Sequence, residues 1–467
     1  MAEAQDAELK EFATKTRREL DVPGVSVGVF VDGAEHYAYA GVTSIRNPLP
    51  VDENTLFQFG STTKTFTATA MMRLVERGDV ELEAPVRRYL PEFALRDESA
   101  ARDVTVLQLL NHTAGWEGDR SDNTGEGDDA LERRVGLMKT LRQVYAPGSA
   151  MSYNNAAFPV AGRIIEKITG TTYEKALQDL VLDPLGLHDT LFFMTDIMMR
   201  RFAVGHSQAE DGTIEQKRVW ASARAAAPSG GMSATARDQI SWARFHLGDG
   251  TAPDGTRLLR AETLRRMQEP TVTVPGSAFG DAVGISWLLR NIGETRLVLH
   301  GGATIGQYSD FVMVPSRQFA FTAMTNSGPN GPQFNQLLEN WALKHYLGVV
   351  EEEPEPQYLP GAALQPYTGT YETMYALWQI TAEAGRLIAD VSIKPEMKER
   401  LRAAGEDPDH SPPPTPMGLL AGPEDRYVVP DGPTKGMKGF FTRDEVGSVI
   451  GVHIGGRLAT RVAQVRR

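Results

Sequence analysis

Ser61 and Lys64 are the residues whose type and spacing most directly suggest chemistry. They sit in Phe59-Gly60-Ser61-Thr62-Thr63-Lys64, ahead of apolar residues at Phe66, Ala70 and Leu74 that repeat at helical spacing. Residues i and i+3 share a helix face, so both side chains point at one place. A serine hydroxyl becomes a useful nucleophile when a neighbouring base takes its proton. A lysine withdrawn from water can be that base, because burial disfavours its charged form. Further along lie Tyr153, a phenol able to shuttle a proton, and Asn155, an amide able to bond substrate or Lys64. His300 precedes Gly301 and Gly302, glycines that let a strand approach a substrate closely. The backbone N–H groups of Ser61 and Ala303 could then form an oxyanion hole, worth about 3–4 kcal/mol per donor.

These pieces, in this order, resemble the serine β-lactamase and penicillin-binding-protein family. The nearest branch is that of class C β-lactamases, D-aminopeptidases and family VIII esterases. The family pattern of S-x-x-K, Y-x-N, and K-T-G or H-x-G reads here as Ser61-Thr62-Thr63-Lys64, Tyr153-Asn154-Asn155 and His300-Gly301-Gly302. The flanks Leu109-Leu110-Asn111-His112-Thr113-Ala114-Gly115 and Pro147-Gly148 also resemble that branch, over about residues 10–348. The resemblance implies a Ser61 acyl-enzyme, with Lys64 and Tyr153 moving protons and either one as the acylation base. It implies no cofactor, and a small amide, ester or peptide as substrate. Two alternatives stay open: an acyltransferase or peptide cyclase on the same scaffold, and a silent binding protein that β-lactams merely acylate.

One departure changes the expectation. The third motif begins with His300, where a lysine would offer a substrate carboxylate a fixed charge. A histidine is mostly neutral near pH 7. That favours esterase, aminopeptidase and acyltransferase chemistry over efficient β-lactam hydrolysis. His300 could instead orient Tyr153 by a hydrogen bond. His112 reads as a structural residue bonding a turn rather than a catalytic one.

The elements that must position these residues follow from the patterning. A charged helix over Ala4–Leu20 precedes alternating Val25, Val27, Val29 and Val31, a turn at Asp32-Gly33, and a returning strand. Helices are expected over Val135–Val144, Ala156–Gly170, Tyr173–Leu182, Ala236–Leu247 and Gln333–Leu347, and strands over Val283–Arg290, Thr295–Leu299, Phe311–Val314 and Phe319–Asn326. Strands at both ends and helices between them define an α+β fold: an antiparallel sheet flanked by helices, with an inserted helical lobe. Trp116–Arg134 is acidic and glycine-rich, either a solvated mobile loop or a lid over the site. Glu351–Gln357 is a Pro- and Glu-rich linker. The expected division is a catalytic domain over 1–348, a linker over 349–362, and a small all-β domain over 363–467. The last shows seven short strand patterns and a proline-rich loop over Pro408–Pro416. Tyr367-Thr368-Gly369-Thr370-Tyr371 and the strand rhythm resemble a lipocalin-like barrel appended to some members of this branch. Such a barrel could shape the cleft, support assembly or simply stabilise.

Composition removes other classes. Hydrophobic residues make up 41% and charged residues 23% of the 467, as in ordinary globular chains. The net charge of −12 (48 Lys and Arg against 60 Asp and Glu) argues against nucleic acid as a partner. There is no cysteine, so thiolate chemistry and disulfides are excluded. The nine histidines lack metal-ligand spacing. No apolar run suits a signal peptide or a membrane span, so a cytoplasmic location is expected.

Overall fold

The computed structural model describes residues 2–120, 122–209, 211–221, 223–403 and 413–462. Eight strands form one antiparallel sheet, with strands from both chain ends of the first domain paired side by side near one edge. Gly24–Val31 lies between Ala34–Gly41 and Phe319–Thr325. Beyond these come Tyr308–Val314, Thr295–Ala303, Leu288–Ile292, Gly280–Val283 and Val272–Ser277. Val27 faces Ala38 on one side and Ala323 on the other, and Gly302 faces Ser309.

Gly24–Val31 is buried on both faces. Its valines pack against Leu9 and Ala13 of the first helix and Phe334, Leu338 and Ala342 of Asn330–Leu347. Each large apolar side chain withdrawn there contributes about 1.5–3 kcal/mol. The opposite face packs on the helical lobe through Phe30, Met324, Phe66 and Trp242, the last two rings stacked at 3.8 Å. Thr63–Glu76 runs through the middle of this core, and the hydroxyls of its buried Thr65, Thr67 and Thr69 are hydrogen-bonded. Thr69 Oγ1 donates to Thr65 O (2.8 Å), and Thr67 Oγ1 to Pro228 O (2.7 Å). That satisfies hydroxyls that would otherwise carry a burial penalty.

The C-terminal strands close a second body. Gly369–Glu372, Ala376–Glu383, Arg386–Ile393, Thr415–Leu419, Arg426–Val428, Lys438–Arg443, Val449–Ile454 and Arg457–Arg461 form an eight-stranded antiparallel barrel. Tyr371 pairs with Arg461 to close it. Tyr371, Ile380, Tyr427, Phe441 and Val452 fill its interior.

Several sequence expectations shift. The helix expected over Val135–Val144 is Ala130–Gly136 followed by a turn at Met138–Thr140, with extended chain from Leu141. The strand expected over Val283–Arg290 is two strands, interrupted where Ser286 takes φ +68. Val272–Ser277, Thr415–Leu419 and the helix Pro395–Ala403 carry weak periodicity and were not expected. The proline-rich loop over Pro408–Pro416 falls partly outside the described residues; Thr415 and Pro416 belong to a barrel strand. The Trp116–Arg134 segment is no solvated loop throughout, since Trp116, Asp119, Leu131 and Arg134 are buried. Arg134 holds it together by donating to Asp122 O (3.0 Å). The 349–360 stretch has no regular structure but is strapped down. Glu351 pairs with Lys438 (2.5 Å), and Gln357 N donates to Leu419 O (2.7 Å). Among the described residues, no helix is long and apolar enough to cross a membrane.

Candidate active site

The chain enters the site through Phe57–Gln58, a short strand fixed against Ser233–Ala234. It then makes a tight turn over Gly60–Thr62 that runs into the helix Thr63–Glu76. Ser61 therefore sits at the mouth of the helix and Lys64 in its first turn. Lys64 is fully buried (0% exposed), and its Nζ lies 3.0 Å from Ser61 Oγ. Nζ also donates to Ser229 O (2.6 Å) and stands over the rings of Tyr153 and Phe158 at 5.0 and 5.3 Å. Burial pushes the Lys64 pKa well below its ordinary value, and the Arg457 charge adds to this while Asp119 opposes it. A neutral amine has two N–H groups and one lone pair. With one N–H held by Ser229 O, the lone pair is free to face Ser61.

Tyr153 lies in the irregular segment 151–154 and is nearly fully buried. Burial raises its pKa, while a hydrogen bond with Ser61 and the Arg457 charge pull the other way. It is a neutral phenol beside the Ser61 hydroxyl. His112 stacks on it at 4.3 Å and accepts a hydrogen bond from Asn154 N at Nδ1 (3.0 Å). His112 thus serves the turn, and its φ of +63 fits that role.

The two amides after Tyr153 divide. Asn154 Nδ2 donates to Trp116 O and its Oδ1 accepts from Ala157 N, both at 3.0 Å, so it starts the helix Ala157–Thr169. Asn155 faces the site, but its amide donates to Asp119 Oδ1 (3.0 Å) rather than bonding Lys64.

The strand Thr295–Ala303 brings the third motif alongside Ser61. Thr62 Oγ1 donates to His300 O (3.2 Å), and Ser309 Oγ donates to Phe59 O (2.8 Å). Any side chain at Gly302 would collide with Phe59 O, since a Cβ there would lie 1.9 Å from it. The Ala303 backbone consequently reaches the turn that carries Ser61, pressing on Gly60. His300 does not hydrogen-bond Tyr153. Its Nδ1–H donates to Gly301 O (2.7 Å), Nε2 has no partner among the described residues, and the two rings are 6.1 Å apart. Burial, with Lys64 nearby, pushes its pKa down to about 3, so the ring is a neutral acceptor.

Two residues escaped the sequence reading. Asp119 is buried beside Asn155, and Arg457, from the barrel's last strand, donates to it twice: Nε to Oδ2 (2.6 Å) and Nη2 to Oδ1 (2.8 Å). The guanidinium lies 5.2 Å over the Tyr153 ring. A crevice on this side of Tyr153 is lined by Asp119, Arg142, Tyr145, Ser152 and Arg457. The only sequence signal for Arg457 is a Gly455-Gly456 hairpin turn, which says nothing of a partner more than 300 residues away.

Ser61, Lys64 and Tyr153 thus cluster between a sheet and a helical lobe, and similarity to known proteins places this fold in a family. Residues 9–345 match the family model described as Beta-lactamase, and the chain belongs to that family. It is 35% identical over 364 residues to penicillin-binding protein 4 of Amycolatopsis lactamdurans, covering 76% of this chain and 94% of that protein. A crystal structure of SurE with D-Leu superposes with a TM-score of 0.76 at 25% identity, over 98% of this chain and 100% of that one. The D-amino acid amidase of Ochrobactrum anthropi, complexed with L-phenylalanine amide, superposes at 0.58 and 26% identity, over 71% and 94%.

Proposed function

We propose that this protein is a serine hydrolase that cleaves a small amide or ester through an acyl-enzyme on Ser61. The observation that carries this reading is the fully buried Lys64 amine 3.0 Å from Ser61 Oγ. Burial lowers the Lys64 pKa and raises that of Tyr153, so the favoured pair is a neutral amine and a neutral phenol. Lys64 is then the acylation base. Ser61 Oγ attacks the carbonyl carbon while its proton passes to Lys64. The N–H groups of Ser61 and Ala303 hold the oxyanion. Tyr153 gives its phenolic proton to the leaving amine or alkoxide and regains one from Lys64. Water then attacks the ester, releasing the acid and restoring Ser61. Asn155, Gly301 and Gly302 shape the substrate side, and His300 stays buried and neutral. The relatives with D-Leu and with an amino acid amide favour an aminoacyl group in the acyl position.

A second reading replaces water with an amine, giving an acyltransferase or cyclase. The whole-length likeness to SurE holding D-Leu favours it, because a free amino acid brings an amine to the scaffold. The expected result is that the native protein is labelled at Ser61 by a fluorophosphonate and turns over nitrophenyl esters, while Ser61→Ala does neither. Native turnover rates in Ser61→Ala would sink the assignment. Mass analysis of products with and without an added amine separates hydrolysis from transfer.

A further inference from the structure

We propose that the barrel supplies a working part of this site, with Arg457 as a positioning residue that sets Tyr153 and Lys64 through the turn it follows. The inference rests on the acyl-enzyme reading above. Strands Val449–Ile454 and Arg457–Arg461 are joined by the two-residue turn Gly455-Gly456, both with positive φ (+54 and +79). That turn enters the first domain beside the reacting groups. Gly456 O accepts the Tyr153 backbone N–H (2.9 Å), and Leu458 N donates to Ser152 Oγ (3.1 Å). A side chain at Gly456 would strike the Phe279 ring, with a Cβ only 2.0 Å away. Phe279 in turn packs edge-on against Tyr153 at 4.9 Å. Phe440 of the barrel joins Met151, Tyr153, Val274, Val283 and Leu288 in one apolar cluster. Tyr153 is therefore held by the barrel through its backbone, its ring and its neighbours.

Arg457 completes the arrangement. Burial alone would lower its pKa, but Asp119 raises it above the ordinary guanidinium range, so it stays charged. Asp119 is fixed in turn by Asn155, and Tyr375 of the barrel donates to its backbone carbonyl (3.1 Å). The charged and titratable groups around Lys64 are Arg457, Asp119, Tyr153, His112 and His300. Of these, the two histidines are held neutral by burial, as is Tyr153. Arg457 and Asp119 thus act on the Lys64 amine with opposite signs.

The test measures fluorophosphonate acylation rates against pH in the full chain, with peptide mapping of the label. Arg457→Met should slow acylation by at least ~10-fold, since small misplacements of reacting groups carry large rate costs. It should also move the acid limb of the profile to higher pH. Asp119→Asn should move that limb to lower pH, and the double variant should bring it back toward native. Arg457→Lys, which keeps the charge without the fork, should restore the limb with partial rate. Limb shifts of the same sign in both single variants, or native rates and limbs in both, overturn the inference while Ser61 labelling stands. A native protein that is not labelled at Ser61 overturns the acyl-enzyme reading and this inference with it. If Arg457→Met does not fold, the opposite limb shift in Asp119→Asn decides.

Discussion

Lys64 and Arg457 are two cations withdrawn from water around one phenol ring, and they meet opposite fates. Lys64 lies at the start of a core helix, its Nζ facing a hydroxyl, a carbonyl and two aromatic rings. Arg457 lies at the tip of a barrel hairpin and grips a buried carboxylate with two nitrogens. Burial without a countercharge discharges a lysine, whereas burial with a bidentate partner keeps an arginine charged. The first arrangement yields a base and the second a fixed field. The difference shows why the same site needs both: a base is useful only when neutral, and a positioning charge only when permanent.

Removing the discharged cation gives the largest expected effect. Lys64→Met should cost at least ~1,000-fold in the Ser61 acylation rate, within the range for loss of a general base. It should also raise the melting temperature, by about 2 °C or more. The sign follows from linkage. With the folded pKa lowered, unfolded Lys64 binds a proton that the native state does not at pH values between the lowered and the ordinary value. Lys64 thus destabilises the fold at neutral pH; the cost shrinks as the pH rises across that window and is gone above the ordinary value. Replacement by a hydrophobe removes the cost. Calorimetry alongside rate measurement checks both halves; a lower melting temperature would mean the lysine is charged and paired.

The paired cation should behave in the reverse sense. Arg457→Met leaves Asp119 buried with only Asn155 for company. Breaking a fully buried pair costs roughly 3–5 kcal/mol. Here the Arg457 side chain is 30% exposed, so solvent screening reduces the expected loss to about 2 kcal/mol. Denaturant unfolding of the full chain measures it. Stability gained in Arg457→Met and lost in Lys64→Met would invert the comparison and refute it.

The same two residues mark what a sequence can and cannot show. Ser61 and Lys64 are readable because their three-residue spacing and the helical apolar repeat are local facts. Tyr153 and His300-Gly301-Gly302 are recognisable as motifs, and strand patterns at both ends of the domain indicate a sheet built from both chain ends, though not its strand order. Arg457 and Asp119 belong to no motif. Their pairing exists only because a closed barrel aims one turn at one cleft, and barrel closure is a tertiary fact. Seven of the eight barrel strands show as short alternating runs; Thr415–Leu419 is masked by its proline and glycine. His300 was readable as neutral, but for a reason that burial strengthens: its pKa lies near 3 instead of the ordinary range. Its expected bond to Tyr153 is not made: Nδ1 is held by the adjacent Gly301 carbonyl, and the two rings lie 6.1 Å apart.

That buried imidazole allows the finest test of the comparison, because it is a third base in the same site that burial keeps neutral. Folded His300 has a pKa lowered to about 3, whereas the unfolded residue titrates near its ordinary 6.5. Between those values the unfolded state binds the proton and the native state does not, so stability falls as pH falls through this window. The contribution is absent well above pH 6.5. Lowering the pH from 6.5 to 5.5 should cost about 1 kcal/mol through this one residue, since a full proton is worth about 1.4 kcal/mol per pH unit. His246 and His453, also held near 3 by burial, contribute in the same sense and remain in place as background. Urea unfolding of native and His300→Gln proteins at pH 6.5 and 5.5 isolates the term. The variant should lose about 1 kcal/mol less than the native protein over that step. Equal losses would place the proton on folded and unfolded His300 alike, and the site would then contain a charged imidazole beside Lys64.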